Sequence, residues 1–165
     1  MIVKGIIDED FVNYKKPSMY IIMPYCTFKC DKEFGCTICQ NSALAHAPGI
    51  NISVQQLVQR YITNPITQAI VLAGLEPFDT ALSVADFVRS VRQVTDDDIV
   101  IYTGYTEDEL GHGDGIKTEI YEYLITHYTN LIIKFGRYIP NQESHYDEVL
   151  GVNLASPNQY AKVFK

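Results

Sequence analysis

The chain has no tryptophan, and no apolar run comes near the roughly 20 residues a membrane-spanning helix needs. Its N-terminus, MIVKGIIDED, lacks the basic, apolar, small-residue order of a secretory signal, so a cytoplasmic protein with no membrane role is expected. Internal repeats, low-complexity tracts and linkers are absent, and 165 residues fit one domain spanning 1–165. Basic residues are scarce: 13 Lys and Arg face 20 Asp and Glu, giving a net charge of -7. That balance argues against broad nucleic-acid binding, though not against small phosphate-bearing ligands. The four histidines stand alone, none at zinc-finger spacing from a cysteine. Cysteine itself is missing everywhere except one short stretch.

What is present is enough apolar residue, 47%, for a full core. The 12 tyrosines are scattered, as half-buried packing residues with a wet hydroxyl would be. Ile2 to Ile7 is β-rich and reads as an edge strand, followed by a polar segment from Asp8 to Pro17. Ser18 to Met23 reads as a buried strand that Pro24 stops. Ser53 and Gln56 form a capping box that opens a helix with Val54, Leu57, Val58, Tyr61 and Ile62 on its inner face. Gln68 to Ala73 is the continuous apolar run of a strand buried on both faces.

A second helix is expected from a cap at Ser83, with Val84, Phe87, Val88 and Val91 inward. The next strand is Ile99 to Tyr102, and Thr106 with Glu109 forms another capping box. A third long helix covers Ile116 to Tyr128, burying Ile120, Tyr123 and Leu124, and Leu131 to Phe135 is a further strand. The tail from Val149 to Lys165 reads as a short strand, a turn and a last strand. The alternation of strand and helix predicts an α/β domain with a mostly parallel sheet. Ligands of such sheets gather at the carboxyl ends of the strands. The cysteine stretch, Gly74-Leu75-Glu76-Pro77 and Thr103-Gly104-Tyr105 all fall at that edge.

The cysteine stretch is CTFKCDKEFGCTICQN, Cys26 to Asn41, with spacing C-x3-C-x5-C-x2-C. In a reducing cytosol clustered cysteines are more often ligands or redox groups than disulfides. Four thiolates could close a tetrahedral zinc site, though a five-residue span between pairs is cramped. Four could also hold a [4Fe-4S] cluster. Three would leave one iron of such a cluster free of protein, open to the amino and carboxylate groups of S-adenosylmethionine.

Several motifs then carry a resemblance. C-x3-C with a later third cysteine after the first parallel strand resembles the radical S-adenosylmethionine signature, usually C-x3-C-x2-C. Gly74-Leu75-Glu76-Pro77 is similar to that superfamily's GGEP motif. More narrowly, Cys39-Gln40-Asn41, Tyr102-Thr103-Gly104-Tyr105-Thr106 with Glu107 to Leu110, and Ser156-Pro157-Asn158-Gln159 resemble stretches of the anaerobic ribonucleoside-triphosphate reductase activating proteins. The resemblance covers about Ile7 to Gln159.

The resemblance implies an incomplete α/β barrel of radical SAM type. It implies a [4Fe-4S] cluster and S-adenosyl-L-methionine as cofactors. A 5′-deoxyadenosyl radical would install a glycyl radical on an anaerobic ribonucleotide reductase, served by a low-potential electron donor. Cys26 and Cys30 would be cluster ligands. The third is Cys36 or Cys39, with Cys39 favoured because Asn41 follows it as in the family. Glu76 would accept from the S-adenosylmethionine amino group, Gly74 would let the ligand approach the backbone, and Thr103 would line the same mouth.

Lys134 could meet a carboxylate there or stand in solvent, and Asn158 and Gln159 could close the site or form a polar turn. No catalytic side chain is singled out. The gap between second and third ligands, the Leu75 in place of a glycine, and Lys134-Phe135-Gly136 in place of an acidic residue before glycine depart from the family pattern. The other readings are a radical SAM enzyme with another target, and a non-catalytic four-cysteine zinc or iron–sulfur module.

Overall fold

The computed structural model describes residues 1–165. In chain order the elements are β1 (Ile2–Val3), β2 (Gly5–Asp10), β3 (Ser18–Ile22), α1 (Lys29–Phe34), β4 (Ile50–Asn51), α2 (Val54–Thr63), β5 (Ala69–Ala73), α3 (Ala81–Val91) and β6 (Asp98–Tyr102). There follow α4 (Glu107–Gly111), α5 (Ile116–His127), β7 (Leu131–Phe135), β8 (His145–Asp147), β9 (Val152–Leu154) and β10 (Tyr160–Phe164). Six strands form the main sheet in the order β10-β7-β6-β5-β3-β2. The central four are parallel and the two edges antiparallel. The α/β class and the mostly parallel sheet are therefore as the sequence implies. The sheet is open, with β2 and β10 as its edges, and does not close into a barrel.

The two faces of the sheet are covered differently. Alternate strand residues point to opposite sides, and Met19, Ile21, Ile70, Leu72, Ile99, Ile101, Leu131 and Ile133 pack under α2, α3 and α5. Each such fully buried aliphatic side chain contributes roughly 1.5–3 kcal/mol. On the other face Val71, Ala73, Val100 and Ile132 meet Tyr14, Leu150 and Leu154 from two loops and β9. No helix covers that second face, so its carboxyl end stays open above the Leu150–Leu154 floor.

Both predicted capping boxes are present, at Ser53 with Gln56 and at Thr106 with Glu109. Other expectations are corrected. β2 runs on to Asp10, because the Asp10 carboxylate is buried and takes the Asn13 backbone N–H at 3.0 Å, turning the chain there. α3 starts at Ala81, not after Ser83, because the 3-10 turn Pro77–Thr80 runs straight into it and leaves Thr80 at the N-cap. Ile62 is exposed, since the buried stripe of α2 is Leu57, Val58 and Tyr61. α5 buries Tyr121 and Leu124, while Ile120 and Tyr123 pack only at its margin. The hairpin strand β8 before β9 was not read from the sequence.

Candidate functional site

The carboxyl ends of β3, β5, β6 and β7 surround a cavity of about 370 Å³ on the face that α2, α3 and α5 leave uncovered. Backbone pairing aligns these ends: Met23 N–H donates to the Ala73 carbonyl, Glu76 N–H to Tyr25, and Thr103 N–H to Lys134. The walls include Cys26, Cys30 and Cys39 on one side, Gly74 to Glu76 and Tyr102 to Tyr105 along the edge, and Lys134 and Gln159 opposite. Cys36 is exposed and takes no part in the lining.

The segment from Asp31 to Ile38 lengthens the cysteine loop without removing Cys39 from the cavity. α1 runs from Lys29 to Phe34, and Gly35 ends it at φ 70°, a left-handed backbone that glycine adopts without strain. The chain then folds back. Asp31 accepts hydrogen bonds from the backbone N–H groups of both Ile38 and Cys39, each at 2.9 Å. This carboxylate staples the returning arm to α1 and brings Cys39 beside Cys30. Burial pushes the Cys30 thiol up, and the neighbouring Cys39 adds to the effect. Burial pushes Cys26 up to about 12, opposed by the Phe28 N–H that its sulfur accepts at 3.2 Å.

Asp79 anchors the start of the loop. Its buried carboxylate accepts from Thr27 N–H at 2.6 Å and from the Tyr105 hydroxyl at 2.7 Å, and pairs with Lys117. Burial opposes its ionisation, but Lys117 and Tyr105 outweigh it and hold its carboxyl below the ordinary value. A second anchor joins Lys29 of α1 and Arg137 after β7 through Glu109 of α4. Arg137 reaches both Glu109 oxygens, at 2.7 and 2.8 Å, and also Glu33 at 3.3 Å. Burial works against the Glu109 charge, yet hydrogen bonds from Arg137 and Lys29 draw its carboxyl down to about 2. Neither Asp31, Asp79 nor Glu109 was singled out from the sequence as a support of the site. Asp79 lies three residues past Glu76, and Asp31 follows Cys30 directly. That adjacency was the one signal available.

Glu76 does not face solvent: it is 8% exposed. Oε1 accepts from Thr103 Oγ1 at 2.7 Å and from Phe78 N–H at 3.1 Å, and Oε2 from Gly104 N–H at 2.8 Å. Burial raises its pKa and these three donors pull against it. Thr103 is 1% exposed, and its hydroxyl proton goes to Glu76 while its oxygen accepts Tyr105 N–H at 3.0 Å. Thr103 thus acts on the cavity through Glu76. Gly74 lines the cavity at φ 83°, and a Cβ there would stand 2.7 Å from Ile22 Cγ2. Its glycine is explained by backbone conformation and by packing against β3.

Lys134 is also buried, 6% exposed, which overturns the solvated reading. Its ammonium donates to the Gly136 carbonyl at 2.7 Å, and burial pushes it down to about 8 despite the nearby Glu76. Gln159 is buried and donates to the same carbonyl at 3.3 Å while accepting from Ala155 N–H at 3.0 Å. Asn158 is exposed and donates to the Arg137 carbonyl at 2.8 Å.

No three His, Cys, Asp or Glu side chains converge tightly enough to hold a single metal ion. Cys26, Cys30 and Cys39 all border the one cavity. A model of the family described as 4Fe-4S single cluster domain matches residues 18–150. The chain belongs to that family, and the iron–sulfur cofactor expected from the cysteines goes with it. The search of curated proteins finds no match. No helix is long and apolar enough to cross a membrane.

Proposed function

We propose that the chain is a radical S-adenosylmethionine enzyme that installs a glycyl radical on an anaerobic ribonucleotide reductase. Its [4Fe-4S] cluster would be held by Cys26, Cys30 and Cys39. One observation carries the reading: these three cysteines share a cavity with Gly74–Glu76 and Tyr102–Gly104, while Cys36 stays outside it. A closed structural site would need Cys36 in the same nest and would have no use for a buried Glu76 facing the cavity.

Such a cluster, when bound and reduced by an external donor, would supply the one electron needed to cleave S-adenosylmethionine to methionine and a 5′-deoxyadenosyl radical able to take a hydrogen atom from a glycine of the partner. The chain's own residues do the positioning. Cys26, Cys30 and Cys39 hold the metal from one side. Glu76, fixed by Thr103, Gly104 and Phe78, would accept at Oε2 from the ligand's amino group. Leu154 lines the cavity, and Tyr14 and Leu150 pack with it against the sheet. The open carboxyl end leaves room for a loop of a protein substrate. The reductase as target rests on the Tyr102–Leu110 and Ser156–Gln159 resemblances, with a low-potential donor supplying the electron.

The test is anaerobic reconstitution of the full chain. About four iron and four sulfide per chain are expected, with a spectrum that shifts on adding S-adenosylmethionine and 5′-deoxyadenosine formed under reduction. Stoichiometric zinc without 5′-deoxyadenosine overturns the enzyme reading. A glycyl radical signal on an added reductase tests the target, and its absence beside normal 5′-deoxyadenosine formation moves the activity to another substrate.

A further inference from the structure

The loop between β2 and β3 turns large apolar side chains outward beside the cavity. Phe11 is 63% exposed and Val12 75%, and Ile7 on the edge strand β2 is 46% exposed. Ile6 packs against the core beneath the helices, so the alternation of the strand puts Ile7 on the opposite face. Its cross-strand partner there is Tyr20, which lines the cavity. Phe11 and Val12 lead directly into Asn13, which lines it too. β2 has no neighbour on its outer side, so this rim continues into an unpaired sheet edge.

The loop is held in this form from both ends. The Asp10 carboxylate accepts from the Asn13 backbone N–H at 3.0 Å and from its side-chain amide at 3.1 Å. The Asn13 carbonyl accepts the Tyr102 hydroxyl at 2.5 Å. Tyr14 is buried and donates to Asp98 at 2.9 Å, and Lys15 N–H donates to the Leu150 carbonyl at 2.8 Å. Phe11 and Val12 therefore stand between fixed points and cannot fold inward. Apolar surface kept in water is unfavourable, and covering it releases that cost. A surface already rigid loses little further entropy when a partner covers it.

We infer that this rim is a docking surface for the protein substrate of the cavity, which covers Ile7, Phe11 and Val12 with an apolar segment flanked by Lys or Arg. The inference rests on the reading above that a loop of another protein enters the cavity. A loop seated against Asn13 and Tyr20 meets this rim next, which makes the two surfaces continuous. The flanking charge follows from Glu9, which is exposed and whose carboxylate meets only the Asn64 amide, at 3.4 Å. A second copy of the chain fits poorly. Pairing two β2 edges would bring the acidic run Asp8-Glu9-Asp10 of each beside that of the other, between chains that each carry -7.

The test uses the anaerobically reconstituted full chain and the anaerobic ribonucleotide reductase of the same organism. Equilibrium binding of the reductase should weaken about ten- to hundredfold in the double variant Phe11→Ser with Val12→Ser, the range for losing apolar contacts at the centre of an interface. Circular dichroism, and 5′-deoxyadenosine formation without reductase, should match wild type. Glu9→Lys should slow association several-fold at low salt. Equal reductase affinity of the double variant and wild type overturns the docking surface. An unchanged association rate in Glu9→Lys overturns the charge match on which the choice of partner rests. A wild-type dimer on gel filtration that the double variant turns into a monomer overturns it as well, since the rim would then belong to a second copy. A wild type that forms 5′-deoxyadenosine yet does not bind the reductase overturns the target reading itself, a result distinct from losing binding only in the variant.

Discussion

Thr103 and Glu76, 27 residues apart in the chain, are joined at the cavity edge by a hydrogen bond of 2.7 Å. The geometry makes Thr103 a positioning residue: its oxygen is oriented by Tyr105 N–H, and its one proton goes to Oε1. Thr103→Val keeps the shape and removes that donor from a buried carboxylate. The expected result is a loss of about 1–3 kcal/mol in stability, because a buried acceptor and the Tyr105 N–H both lose a partner. S-adenosylmethionine affinity should fall with it, and Thr103→Ser should restore both. Thermal denaturation and ligand titration check this; an unchanged Thr103→Val protein would remove Thr103 from the site.

Cys36 and Cys39 differ in placement, not chemistry. Cys39 borders the cavity beside Cys30, and Cys36 is exposed on the outer part of the loop. Cys36→Ala should keep iron and sulfide near the wild-type content after anaerobic reconstitution, whereas Cys39→Ala should lose most of both. Loss of the cluster from both variants would restore a four-cysteine site.

Much of this arrangement was legible in the sequence because it rests on local pattern. The continuous apolar run ending at Ala73 and the alternation of strands with capped helices place Glu76, Thr103 and Lys134 at one sheet edge before any coordinates are known. The capping boxes at Ser53 and Thr106 depend on residues three apart, so they read directly. What was not legible depends on distant contacts. The burial of Lys134 needs the turn held by Gln159, 25 positions on, and nothing in a local window separates it from a solvated lysine. The start of α3 was misread because a serine resembles a cap wherever it stands. The 3-10 turn that pre-empts Ser83 is set by Glu76 accepting the Phe78 N–H. The fold-back of the cysteine loop depends on Asp31 reaching seven and eight residues ahead, further than any capping rule extends.

That staple is open to test. Asp31→Ala removes the acceptor of two backbone N–H groups in a loop with no buried residue in α1 to hold it otherwise. The arm carrying Cys39 should then sample positions away from Cys30. Limited proteolysis of the metal-free chain should cut between residues 31 and 41 several times faster than in wild type, with the global melting temperature moving little. Cluster retention under a chelator should fall in parallel. A variant with wild-type cleavage rates would show that Lys29, Glu33 and Arg137 hold the loop without Asp31.

Lys134 predicts an unusual dependence of stability on pH. Burial pushes its ammonium from 10.5 down to about 8 in the folded chain. Below about 8 both folded and unfolded chains carry the proton, and the full burial penalty is present. Between 8 and 10.5 the unfolded chain holds a proton that the folded chain has released, so this group makes stability rise with pH. Lys134→Met has no such penalty and keeps the stem volume. In the absence of ligand it should be more stable than wild type at pH 7, by up to about 3 kcal/mol at 1.36 kcal/mol per unit. The difference should shrink steadily from pH 8 towards 10.5. Denaturant titrations of both proteins across that range measure it, and the difference cancels the other groups that titrate there. A constant difference would mean that Lys134 is not buried as a charge. A less stable Lys134→Met at every pH would mean that its bond to Gly136 outweighs the burial.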